Sequence, residues 1–220
     1  AEIRNPVTGV YVRGIYNVTV YGYDLNLDKM RLYVDEDLVE TWTVSGTHVY
    51  SWNTTEFADG FYLVKLAVTD KAGNSVEKTV MVSVDNTSPL IGVLTWQPQE
   101  PSINEPVNAS VIVVEPLSGS GIKNVTLWFR NDTEWQSIEM TLLTSGNWTA
   151  TIPGQSTDVT VTFYIEAFDN AGNGATTPTY TYEVKAPPAG LPLALLAIVV
   201  MSVAAILGTA IYLYQFRRVE

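Results

Sequence analysis

Apolar and polar positions alternate with a period of two along most of this chain. Tyr16, Val18 and Val20 alternate with Asn17 and Thr19, and Met30, Leu32 and Val34 alternate with Arg31 and Tyr33. Tyr62, Val64, Leu66 and Val68 form a third stripe, and Val76, Val80, Val82 and Val84 mark a fourth after an intervening turn. Successive side chains of a strand point to opposite faces, so each stripe is the buried face of a half-exposed strand. Short runs separated by Gly, Pro, Asn and Asp predict about seven strands in the first 85 or so residues, the signature of a β-sandwich.

The same plan returns farther on. Val107, Ala109, Val111 and Val113 form one stripe; Val125, Leu127 and Phe129 a second; Trp148, Ala150 and Ile152 a third; Val161, Phe163, Ile165 and Ala167 a fourth, with a last strand over Thr179–Val184. The pentapeptide Asp70-Lys71-Ala72-Gly73-Asn74 recurs 99 positions later as Asp169-Asn170-Ala171-Gly172-Asn173, again between two strand patterns. Its residue types are those of a hairpin turn: Gly takes positive φ, Asn tolerates the left-handed region and Asp accepts backbone N–H bonds. The two halves are an internal repeat.

The alternation stops at Leu191–Tyr214, where 24 residues carry no charge. As a helix this run reaches about 36 Å, enough to cross a hydrocarbon core of about 30 Å with some tilt. Pro187, Pro188 and Gly190 set it apart from the strands, Tyr212 and Tyr214 suit an interface, and Arg217 and Arg218 follow at once. The positive-inside rule puts the C-terminus in the cytoplasm and everything before the run outside. Ala204 and Gly208 form a small-xxx-small pair that allows close approach of a second helix. The expected class is all-β: two tandem Ig-like β-sandwiches followed by a single C-terminal transmembrane α-helix. The expected organisation is 1–85 and 86–184 for the sandwiches, 185–190 for a Pro/Gly linker, 191–214 for the membrane helix and 215–220 for a cytoplasmic tail.

Asp59-Gly60-Phe61-Tyr62 leading into a strand, the Asp-x-Ala-Gly-Asn turn and the closing Val84-Asp85-Asn86-Thr87 resemble the Ig-like and fibronectin type III-like modules repeated in bacterial and archaeal surface proteins. The resemblance covers about residues 1–184. It is specific in the first half and looser in the second, which lacks the Asp-Gly-x-Tyr element and has a longer loop at Pro116–Gly121. It implies that Tyr62 occupies the place of the tyrosine corner and that the modules serve as spacers, adhesive units or interaction platforms.

Charge and composition narrow the function. Twelve Lys and Arg against 23 Asp and Glu give a net charge of -11, the reverse of the basic footprint that nucleic acid requires. With no cysteine and one histidine, thiol nucleophiles and Cys-ligated zinc are out and imidazole chemistry has few routes. His48 lies in an expected strand beside Val49, and no nucleophile elbow, zinc-protease helix, Walker loop or dinucleotide turn is present. No enzyme, no cofactor and no metal are expected. Asp24 and Asp28, and Asp35, Glu36 and Asp37, are read as solvated acidic surface rather than calcium ligands, since no twelve-residue EF-hand loop surrounds them.

Seven Asn-x-Ser/Thr triplets begin at Asn17, Asn53, Asn86, Asn108, Asn124, Asn131 and Asn147, where roughly two or three would arise by chance. Asn17, Asn108, Asn124 and Asn147 fall on the polar side of their strands, so glycans there would point to water. Sequons without cystines fit an archaeal surface glycoprotein better than an animal receptor. Trp52 and Trp148 read as core; Trp128, on the polar side of its strand, and Trp135, in the next turn, are interface candidates. The expected partners are the lipid bilayer and other surface or membrane proteins, including a second copy. The function expected is a non-enzymatic, single-pass surface protein acting as structural, adhesive or spacer module. The alternatives are an accessory subunit of a larger membrane or surface-layer assembly, and the membrane-proximal stalk of a longer surface enzyme. A C-terminal sorting signal and a mature or fragment start at Ala1 are both compatible with the ends of the chain.

Overall fold

The computed structural model describes residues 1–186. The expected membrane run 191–214, with Ala204 and Gly208, lies outside the described residues, as do most of the linker and the tail. Among the described residues no helix is long and apolar enough to cross a membrane. They form strands almost throughout, with one 3-10 turn at Thr54–Glu56.

Eight strands build the first half: β1 (Glu2–Asn5), β2 (Tyr11–Val12), β3 (Ile15–Gly22), β4 (Leu27–Val34), β5 (Asp37–Trp42), β6 (Gly46–Asn53), β7 (Gly60–Asp70) and β8 (Ser75–Val84). They make two sheets, ordered β1-β3-β6 and β2-β8-β7-β4-β5. All pairings are antiparallel except β2 with β8, which run parallel with Tyr11 opposite Ser83 and Val12 opposite Val84. The alternating stripes fill the space between the sheets: Val18, Val20, Met30, Leu32, Val64 and Leu66 are buried around Trp52. Trp52 packs edge-on against Phe57 and Tyr62, with ring centroids 5.3 and 6.0 Å away. The Tyr62 hydroxyl donates to the Ala58 carbonyl at 2.9 Å, which is the bond of a tyrosine corner.

Val76 departs from the expected stripe. It is exposed, because β8 meets β2 only at Ser83 and Val84 and its first half is an open edge flanked by β7 alone.

The second half comprises β9 (Leu90–Ile91), β10 (Thr95–Gln97), β11 (Val107–Val114), β12 (Ile122–Arg130), β13 (Gln136–Glu139), β14 (Thr141–Thr144), β15 (Asn147–Ile152), β16 (Val159–Asp169), β17 (Gly174–Thr176) and β18 (Tyr180–Val184). One sheet is ordered β10-β11-β15-β14 with β9 also on β11; the other is β13-β12-β16-β17 with β18 also on β16. Phe163, Leu127, Ile152 and Ile165 are fully buried between them. Trp148 is half-buried and packs against this core from its margin. The two cores are separate, and the chain passes from one sandwich to the other through Asp85–Pro89.

Candidate functional site

The passage between the sandwiches is built from the motifs that stood out in the sequence. Asn86 is locked to the first sandwich: its Oδ1 accepts from the Gly14 N–H at 2.9 Å and the Thr54 hydroxyl at 3.1 Å, and its Nδ2 donates to the Thr54 carbonyl at 3.0 Å. Asp59 accepts the Asn86 N–H at 2.8 Å and the Thr87 hydroxyl. The Asp-Gly-x-Tyr and Val-Asp-Asn-Thr elements are thus two halves of one hydrogen-bonded lock.

The second sandwich grips the same segment from the other side. The Asp169 turn is organised by its first residue, whose Oδ1 accepts from the N–H groups of Gly172 and Asn173 at 2.6 and 2.8 Å while Oδ2 accepts from Asn173 Nδ2 at 2.8 Å. Gly172 has φ +91°, a conformation that favours glycine. This turn faces the first sandwich: Asn173 Nδ2 also donates to the Asp85 carbonyl at 3.0 Å, and Arg13 Nη1 donates to Asn173 Oδ1 at 3.4 Å. The loop between β11 and β12 supplies the Ser120 N–H, which donates to Asp85 Oδ2 at 2.7 Å. Asn170 and Ala171 bind back to Ser120, so loop and turn form one surface.

Three carboxylates converge there. Asp85 ends the first sandwich, Glu115 follows β11 and Asp169 ends β16, and one oxygen from each lies within 4.8 Å of the others. Asp85 and Asp169 are fully buried. Both Glu115 carboxylate oxygens are sealed from solvent and receive no hydrogen bond from the described residues. Burial, and then the charges of Asp169, Asp85 and Asp59, push the Glu115 carboxyl up to about 7. Among the described residues no Lys or Arg forms an ion pair with any of the three. No spacing signal in the sequence marks this cluster, whose members are 30 and 54 positions apart, and turn geometry alone explains the residue types around Asp169.

Of the acids singled out from the sequence, Glu36 and Asp37 are exposed and the other three have local work. Asp24 caps the Asn26 N–H at 2.8 Å, Asp28 pairs with Lys29 at 3.0 Å, and Asp35, at φ 54°, accepts the Leu63 N–H at 2.8 Å. His48 lies in β6, stacks on Trp42 and donates from Nε2 to the Val44 carbonyl at 2.8 Å.

The seven sequons differ in their settings. Asn17 and Asn108 are exposed on outer strand faces, each accepting a neighbouring hydroxyl through Oδ1. Asn124 and Asn147 are half-buried on outer faces. The Nδ2 atoms of Asn53, Asn86 and Asn131 donate to Glu56, the Thr54 carbonyl and Gln155. Trp128 and Trp135 come together beside Tyr164, their ring centroids 6.4 and 5.0 Å from its own, Trp128 stacked on it and Trp135 edge-on. Trp128 Nε1 donates to Glu166 at 3.1 Å, and the Arg130 guanidinium lies 4.8 Å from the centre of the Trp135 ring.

Residues 107–186 match the family described as bacterial Ig-like domain. Fibronectin(III)-like modules of Clostridium thermocellum CbhA superpose with a TM-score of 0.52 at 17% identity, covering 86% of this chain and 96% of theirs. Domains A168–A170 of titin superpose with a TM-score of 0.54 at 13% identity, covering 83% of this chain and 63% of theirs. The chain carries tandem Ig/fibronectin III-like modules. No curated protein matches its sequence. Modules of this fold are typical of structural and adhesive extracellular segments and are generally non-enzymatic.

Proposed function

We infer that this chain is a non-enzymatic cell-surface protein that holds its outer end at a set distance from a membrane. The observation that carries the reading is the junction: both sandwiches bind the Asp85–Thr87 segment through their own backbone and side chains, so the pair forms a stiff spacer rather than two beads on a string. The charge-free run 191–214 supplies the anchor, with 185–190 as its linker and 215–220 as a cytoplasmic tail. Before the run the chain has 22 acidic and 10 basic side chains, a net -12 that keeps a crowded outer surface soluble. Asn17 and Asn108 are the sequons best presented for glycans, in keeping with an archaeal surface glycoprotein.

The aromatic cluster of Trp128, Tyr164 and Trp135 favours a second reading, an accessory subunit that docks a larger membrane assembly through this face. Cross-linking mass spectrometry on native membranes separates the two. Self-links or links to an abundant surface protein support the spacer, whereas reproducible links from the β12/β16 face to one set of other subunits support the accessory subunit. Recovery of the chain in the soluble fraction with unmodified Asn17 and Asn108 defeats the surface-glycoprotein reading.

A further inference from the structure

The outer strands of an open sheet present N–H and C=O groups without a strand partner, and charged side chains at such edges keep them from pairing with other chains. The longer outer strands here carry that protection: Arg4 in β1, Asp37 in β5, Lys78 in the open half of β8 and Glu139 in β13. On β6, which has no Lys, Arg, Asp or Glu, the His48 ring is stacked by Trp42 from β5 of the facing sheet. β14 has neither device. It ends its sheet with β15 as its one strand partner among the described residues, and all four of its residues are exposed. No charged residue occurs over 141–157, in a chain of net charge -11. Leu142 and Leu143 are 50% and 59% exposed, and Leu143 has no residue opposite it on β15 because the pairing shifts between Leu142 and Thr144.

Thr141-Leu142-Leu143-Thr144 also reads the same in both directions. Set antiparallel against a second copy, with Leu142 opposite Leu143 and Thr141 opposite Thr144, it places one Leu–Leu pair on each face of the new ladder. In that register Glu139 falls opposite Gly146, so no like charges meet. We propose that β14 is a self-recognition strand through which two copies of this chain, held in facing membranes, join edge to edge. The sheet β10-β11-β15-β14 then continues across a two-fold axis into its twin. That axis stands perpendicular to the strands, and the two sheets of a sandwich align their strands within about 30°, so β18, after which the chain leaves the sandwich, points in opposite directions in the two copies. Chains anchored through 191–214 therefore meet from opposing surfaces and not side by side. This orientation rests on the anchor proposed above; the pairing itself does not. Four residues a side make a small contact, so adhesion comes from many copies acting together.

The chain has no cysteine, so single substitutions give unambiguous cross-links. The full 220-residue chain in detergent is made as Thr141→Cys and as Thr144→Cys, both at exposed positions, and the two are oxidised separately and mixed. In the stated register residues 141 and 144 of different copies stand within disulfide reach, whereas two copies of residue 141 are about 10 Å apart. The mixture should give at least tenfold more disulfide-linked dimer than either variant alone. No dimer in the mixture, or equal yields from all three samples, would overturn the pairing. Wild-type chain in phosphatidylcholine vesicles, at about 0.15 M salt to screen the acidic surfaces, should cluster the vesicles. The double variant Leu142→Lys, Leu143→Lys sets like charges opposite each other and should reduce clustering at least fivefold. In-register disulfides with vesicles that stay dispersed would overturn the facing-membrane arrangement. A chain that fails to enter vesicles defeats the anchored reading instead and leaves the disulfide yields to decide the pairing.

Discussion

Tyr62 shows how much one hydroxyl can hold in place. Its ring sits against Trp52 and Phe57 while its oxygen donates to Ala58, so the turn entering β7 is tied to the core at both ends of one side chain. Tyr62→Phe keeps the ring and removes the bond. Urea unfolding of this variant should show a loss of about 1 kcal/mol with an unchanged m-value. Charge acts differently at Asp70 and Glu115. Hydrogen bonds from the Asn74 side chain and backbone hold the Asp70 carboxyl below its ordinary value. Its contribution to stability is therefore present above the unfolded-state value and is lost as pH falls through the depressed one. Glu115 has the opposite sign: the folded state holds a proton between about 4.5 and about 7 that the unfolded state has released, so stability falls as pH rises across that window. Midpoints measured from pH 3 to 8 should show the low-pH loss shrink in Asp70→Asn and the fall toward neutral pH disappear in Glu115→Gln.

At the scale of strands, the period-two stripes were legible wherever apolar and polar residues strictly alternate. β12 and β16 behave as read, with Val125, Leu127, Phe129, Phe163 and Ile165 buried. β11 shows where the signal thins: its end reads Val111-Ile112-Val113-Val114, apolar on both faces, yet Val111 and Val113 are buried and Ile112 and Val114 are exposed. The register of that end follows from Asn108 and Ser110, which alternate with Val107 and Ala109 earlier in the same strand. Val76 differs because it lies at the open edge of its sheet. The core stripes carry the stability, so Phe163→Ala should cost about 3–5 kcal/mol in denaturant unfolding, whereas Val76→Thr should change it by less than about 0.5 kcal/mol. The Trp128 and Trp135 surface was legible because polar-side aromatics are rare enough to stand out. Its third member, Tyr164, was not, because the pairing of β12 with β16 brings it there.

For the whole molecule, the junction was the part least visible in sequence. The Asp-x-Ala-Gly-Asn repeat was seen, but the same turn serves two purposes: Asp70 closes a hairpin at a water-facing end, while Asp169 closes one that is pressed against Asp85. No spacing rule links Asp85, Glu115 and Asp169, since their convergence exists only once two separately folded sandwiches meet. Asn173→Ala removes a donor to the Asp85 carbonyl and the side chain that accepts from Arg13. Small-angle scattering should then report a broader distribution of inter-sandwich distances with little change in secondary structure by circular dichroism.

The parallel contact of β2 with β8 has a mechanical consequence. Tension applied to the ends of the first sandwich drags these neighbours in opposite directions along their common axis, so their bonds are sheared together instead of being unzipped one by one. The second sandwich has the same arrangement in miniature, where Ser102 bridges Lys185 in parallel beside the segment that leads out of the fold. A tether pulled from outside would hold until these short clasps give way, and each would yield abruptly.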